Sequence, residues 1–105
     1  MIVCEELFKK RLIELRMNKG VSARDMSLSI GQSESYINKI ENTTALPSMS
    51  VFFYICEYLG VTPSEFFDAD IKNPVKLKSV IEDLKQLDDK QLDTIAELVK
   101  GLKKR

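Results

Sequence analysis

A chain of 105 residues has room for one small core and an appendage, and its 16 basic and 16 acidic residues leave no net charge to draw it as a whole to a polyanion. With no histidine, two widely separated cysteines and four singly placed glycines, it lacks the commonest general base, a zinc-ligand pattern and a phosphate-binding loop; neither catalysis nor a metal or other cofactor is expected. No apolar run approaches the roughly 20 residues that cross a bilayer, and the opening M-I-V-C-E-E has no signal-peptide pattern, so the reading is a soluble, cytoplasmic protein with no membrane partner.

The first helix is expected over about residues 5–18, where Phe8, Leu12 and Leu15 form an apolar stripe and Gly20 supplies the stop. Ser22 and Asp25 have the spacing of an N-cap and its third helical residue, so a second helix starts at about Ala23. Met26 and Ile30 share a face, and Gly31 can take the positive φ that ends the helix sharply. Ser33 is expected to cap a third helix, at about 33–41, with Ile37 and Ile40 inward and Glu34, Ser35, Asn38 and Lys39 pointing elsewhere. Two helices joined by a short turn containing Gly have the geometry that lets the second enter the DNA major groove.

After Glu41 the stretch N-T-T-A-L-P reads as a loop, and Thr43 and Thr44 can offer hydroxyls and backbone N–H groups to a phosphate. Pro47 and Ser48 open a fourth helix with Met49, Phe52, Ile55, Cys56 and Leu59 inward, and Gly60 ends it. Cys56 on that stripe reads as a small hydrophobe. A second stripe, Val51, Tyr54 and Tyr58 beside Phe53, calls for a cover, either the chain's own tail or another subunit. Thr62-Pro63-Ser64-Glu65 is a capping box with Pro at the first helical position, and Phe66 and Phe67 follow to close the core with a short fifth helix.

Residues 68–74 (D-A-D-I-K-N-P) read as a linker, which divides the chain into a domain at 1–69 and a C-terminal helical segment at 70–105. Up to residue 70 the acidic residues outnumber the basic by three, and beyond it the balance reverses. Val80, Ile81, Leu84 and Leu87 make one apolar edge; Leu92, Ile95, Val99 and Leu102 repeat in steps of three and four. Asp88 and Gln91 mark a fresh helix start at about Asp89, with Leu87 and Leu92 at the places of a hydrophobic staple. Two such helices must dock on the first domain, on a second copy or on another protein.

The ordered series L-x-x-L-R ending at Arg16, S-x-x-x-M, Gly31, I-x-x-I-E ending at Glu41, Pro47 and I-x-x-x-L-G-V-T-P-S-E-F-F resembles the phage-repressor and Cro type of helix-turn-helix, the Xre-like family of bacterial and phage regulators. The resemblance runs from about Phe8 to Phe67. It implies an all-α fold: a five-helix, lambda-repressor-like DNA-binding domain, here followed by a C-terminal helical hairpin. It implies an ion pair between Arg16 and Glu41, which would fix the angle of the third helix. It also places Ser33, Glu34, Ser35, Asn38 and Lys39 against the bases, with Gln32 on the backbone and Tyr36 on a thymine methyl, a phosphate or the second helix. Lys39 can donate to guanine, Asn38 can pair with adenine, and Glu34 can accept from cytosine.

Several positions depart from the family pattern. Thr43 stands where a Gly is usual, so Asn42 is expected to take the left-handed conformation instead. Ala23 replaces a Gln that contacts the nucleic acid, and Ser27 replaces a small Ala, so its hydroxyl needs a partner such as a carbonyl one turn back. The expected function is a sequence-specific regulator of transcription, a repressor that binds double-stranded DNA as a homodimer held by the C-terminal hairpin. The competing reading is an antitoxin-like or partner-regulated interaction module that acts through the C-terminal helices.

Overall fold

The structure is a computed structural model that describes residues 4–104; these contain seven helices and no strand. In chain order the helices are α1 (Cys4–Lys19), α2 (Ala23–Ser29), α3 (Tyr36–Asn42), α4 (Met49–Leu59), α5 (Pro63–Phe66), α6 (Pro74–Leu84) and α7 (Asp89–Lys103). The chain divides into two compact units, residues 1–74 and 75–105. Among the described residues, no helix is long and apolar enough to cross a membrane.

Local chemistry sets most helix ends. The Ser22 hydroxyl accepts from the Asp25 backbone N–H, the Ser48 hydroxyl from Val51, and the Thr62 hydroxyl from Glu65, whose carboxylate returns the contact to the Thr62 N–H. Each of these bonds satisfies a backbone donor that the first turn of a helix leaves free. At the other ends, Gly31 and Gly60 have φ of 79° and 75°, a region that costs a residue with Cβ about 1–2 kcal/mol.

The core of the first unit is a cluster of thirteen apolar side chains supplied by α1 to α5 and their turns. Phe8, Phe52 and Phe66 meet at its centre with ring centroids 5.1–5.9 Å apart, in the tilted and edge-on arrangements that aromatic quadrupoles favour. Leu12, Met26, Ile37 and Ile55 are fully enclosed, so one residue from each of the first four helices anchors it. Cys56 lies in the same cluster, and burial pushes its thiol up to about 11.

Arg11 is the buried charge of this unit, 3% exposed. Its guanidinium donates to the carbonyls of Glu65, Phe66 and Asp68 and to the Glu14 carboxylate. α5 has four residues and cannot satisfy its own last carbonyls, so an arginine from α1 caps it from across the fold. Asn18 adds a second tie from α1, donating to the Lys72 carbonyl at 2.7 Å. No buried side-chain polar atom of the described residues lacks a partner.

Two expected core positions lie outside it. Met49 is 65% exposed, because it is the first residue of α4 and its side chain lies at the rim of an apolar hollow lined also by Phe8, Leu46, Phe52 and Phe67. Phe67 follows α5 as its C-cap and is half exposed, while Phe66 alone fills the core.

In the second unit, α7 opens on a capping box: Asp88 accepts from the Gln91 N–H at 2.8 Å, and the Gln91 side chain accepts from the Asp88 N–H at 3.0 Å. No residue of α7 is buried. Its apolar stripe, and that of α6, keep a large part of their surface open.

Candidate nucleic-acid interface

Ser27 fixes how α2 and α3 meet. Its hydroxyl donates to the Ala23 carbonyl one turn back, at 2.7 Å, and accepts from the Ile37 backbone N–H, at 2.9 Å. The residue is fully buried, so a small side chain admits close approach of the two helices while its oxygen satisfies a donor in the first turn of α3. The turn is tightened further where the Gln32 N–H reaches the Ser27 carbonyl.

α3 starts later than the sequence indicates. Its first residue is Tyr36, the N-cap is Ser35, and no side chain caps that end; residues 33–35 form a turn in which the Tyr36 N–H bonds the Ser33 carbonyl. The expected helix at about 33–41 is therefore 36–42, and Ser33 is not its cap. The N–H that a capping serine would have taken is met in part by Ser27, a partner ten residues away that local spacing does not disclose.

Arg16 sets the other end. Its Nε and a terminal nitrogen donate to the two Glu41 oxygens at 2.7 and 2.9 Å, and the remaining terminal nitrogen donates to the Val21 carbonyl at 2.9 Å. Glu41 is 8% exposed and Arg16 17%, so this bidentate fork is shielded and joins α1, the α1–α2 turn and α3. The Glu41 hydrogen bond raises the Arg16 pKa, against the opposing effect of burial.

Among the residues considered for contact with bases or backbone, Ser33, Glu34, Ser35, Asn38, Lys39, Thr43 and Thr44 are all exposed, and Gln32 and Tyr36 are half-buried. Tyr36 packs against the core, and burial raises its pKa. Glu34 lies 3.2 Å from Arg24 of α2 in an exposed ion pair. Lys39 has no acidic partner among the described residues. The Asn38 side-chain oxygen accepts from the Asn42 amide at 2.7 Å, and Asn38 is exposed.

The loop after α3 takes a different path from the expected one. Asn42 is the last helical residue and Thr43 is extended at φ −135°; no non-Gly residue among those described has positive φ. Asn42 is helical because its side chain reaches back to Asn38, and Thr43 closes the end by donating its hydroxyl to the Lys39 carbonyl at 2.7 Å. The hydroxyl proton of Thr43 is thus committed to the helix end. Thr44 keeps its hydroxyl exposed.

Two short helices locked at a fixed angle, with the polar face of the second open to solvent, define a helix-turn-helix protein. Residues 10–70 match the sequence model of the helix-turn-helix domain family, more than half of the chain, and the protein belongs to that family. No curated protein and no solved structure matches it. Membership suggests a DNA-binding regulator, and proteins of this family are typically not enzymes.

Proposed function

We propose that the protein is a sequence-specific transcriptional repressor that binds operator DNA as a homodimer. The observation that carries this reading is the arrangement of α3: Ile37 and Ile40 are held in the core, Glu41 is clamped by Arg16, and Asn38 and Lys39, with Ser35 at the N-cap, are exposed to solvent. Lys39 donates to guanine O6 or N7, and Asn38 presents amide donors beside an oxygen with a second lone pair, the combination that pairs with adenine. Ser33 lies beside these toward the bases, and Gln32 and Thr44 flank them at the phosphates. Glu34 contributes discrimination rather than affinity, since its carboxylate repels phosphate and accepts only from a base donor such as cytosine N4.

A single reading head of this size spans a few base pairs, so two are needed for a selective site. In a symmetric dimer two copies of α3 enter successive major grooves about 34 Å apart. Residues 1–69 form the DNA-binding domain, and residues 70–105 hold the dimer. A dimer seated over a promoter excludes polymerase, which makes repression the simplest consequence. Such a regulator works in the cytoplasm, beside the DNA it controls. The exposed apolar stripe of α7 also fits a partner-regulated module, in which a second protein takes the place of the second copy.

Fluorescence anisotropy of a labelled mixed-sequence duplex, titrated with protein over a range of salt, tests the DNA-binding claim. Binding is expected to weaken steadily as salt rises, with the counterion-release slope of phosphate contacts. Absence of binding at low salt by folded protein would refute it.

A further inference from the structure

α7 has 15 residues, about 22 Å of helix, and helices of that length are marginal in water without a packing partner. None of its residues is buried; Leu92, Leu98, Val99 and Leu102 are all exposed and Ile95 is partly covered. Leu92, Ile95, Val99 and Leu102 occupy alternate a and d places of a heptad, a seam for one facing helix.

The charges of α7 and its cap are separated along its length. Asp88, Asp89, Asp93 and Glu97 against Lys90 give the first part a net −3, and Lys100, Lys103 and Lys104 give the last part +3. A parallel second copy would set acid beside acid and base beside base. An antiparallel copy sets each acidic half beside a basic half and opposes the two helix dipoles.

We infer that α7 pairs antiparallel with α7 of a second copy of this chain, about a two-fold axis near Glu97. Leu92 then faces Leu102 of the other copy, and Ile95 faces Val99. Ala96, beside the seam at the centre, leaves the two backbones free to approach closely. Asp89 comes beside Lys103 of the other copy at each end. The seam gives the dimeric reading above its geometry and rests on that reading; its two-fold axis is of the kind that a near-palindromic operator requires.

The test uses full-length protein with Cys4→Ser, so that the exposed thiol is removed, and with Cys56 left in the core. Differently tagged chains carrying Leu92→Cys or Leu102→Cys are mixed, oxidised mildly and separated by mass, and the oligomer is measured by sedimentation before oxidation. A dimer whose main product is the mixed 92–102 disulfide, lost when oxidation is done in denaturant, supports the pairing. A dimer giving same-site disulfides instead is parallel and overturns it. A dimer that yields no disulfide is held by another surface; the antiparallel seam then fails while the dimeric DNA-binding reading stands. A monomer that binds DNA overturns both the seam and the dimer. A mixed disulfide formed by protein that binds no DNA upholds the seam while the repressor reading fails.

Discussion

Arg11 and Arg16 both lie on α1 and differ in what they hold: Arg11 ties α1 to α5, and Arg16 aims α3. Arg11 serves three carbonyls and a carboxylate at once; an alanine there takes the guanidinium donor from the buried Phe66 carbonyl and one of two donors from the carbonyls of Glu65 and Asp68, which keep the backbone N–H groups of Asp68 and Ile71. We expect Arg11→Ala to destabilise the first unit by about 3 kcal/mol, read as the shift of the urea midpoint, and Arg11→Lys to recover little because an ammonium cannot reach all of them. Arg16→Ala strands the shielded Glu41 carboxylate and is expected to cost about 2–3 kcal/mol, less than a fully buried pair. Arg16→Ala with Glu41→Gln should recover part of that loss, since it removes the stranded charge. Cys56 gives a pH signature. Its folded pKa of about 11 lies above its ordinary value of 9.0, so the native state keeps a proton that the unfolded chain gives up. That contribution to stability is complete below pH 9 and is lost as pH rises through 11, so stability should fall across that interval and fall less steeply in Cys56→Ala. Alkylation at about pH 8 should label Cys4 and spare Cys56 in folded protein.

At the scale of elements, the pivotal contact is the one between α2 and α3. Ser27→Ala removes the acceptor of the Ile37 N–H and is expected to cost about 1–2 kcal/mol in thermal or urea unfolding, and to weaken DNA binding beyond what that loss explains, because α3 is then less firmly aimed. Ser27→Thr, which keeps the oxygen, tests whether hydrogen bond or space matters more; in a fully buried site the added methyl is expected to be disruptive too. Lys39→Ala should weaken DNA binding. If the ammonium sits on a phosphate, the salt slope falls by about 1; if it donates to guanine, the slope is unchanged and base preference relaxes. The difference between those outcomes locates the ammonium. Helix starts that rest on local bonds were legible in the sequence: Ser22, Thr62 and Asp88 cap where their spacing says they cap, and α4 opens at Pro47 and Ser48 as read. So were the apolar stripe of α1, that of α4 from Phe52 onward and the turn at Gly31, since periodicity and positive φ are local properties. What was not legible depends on tertiary partners. α3 begins three residues later than its spacing suggests because Ser27, and not Ser33, meets its backbone. Arg11 reads from sequence as one charge among several on α1, and only the fold brings it to the carbonyls of α5, more than fifty residues away. Asn42 stays helical because Asn38 and Thr43 bond the helix end, which removes the need for a left-handed residue.

For the whole molecule, charge is arranged rather than abundant. The chain is neutral and its first seventy residues are acidic on balance, so on the proposed reading a groove-facing surface carries its own local charge through Lys39 and neighbouring donors, and affinity is built from two copies. This predicts modest non-specific binding and a strong dependence on dimer formation: dilution below the dimer dissociation constant should abolish operator binding more steeply than a one-to-one isotherm. The central claim is that the outer face of α3, presented twice, reads base sequence. A selection of binding sites from random duplex DNA at moderate salt, run in parallel with an Asn38→Ala, Lys39→Ala double variant shown to be folded, tests it most directly. The account predicts enrichment of a two-fold symmetric site with half-sites about one helical turn apart, lost in the variant. Enrichment of no site by the folded wild-type chain, or of the same site by the double variant, would contradict it.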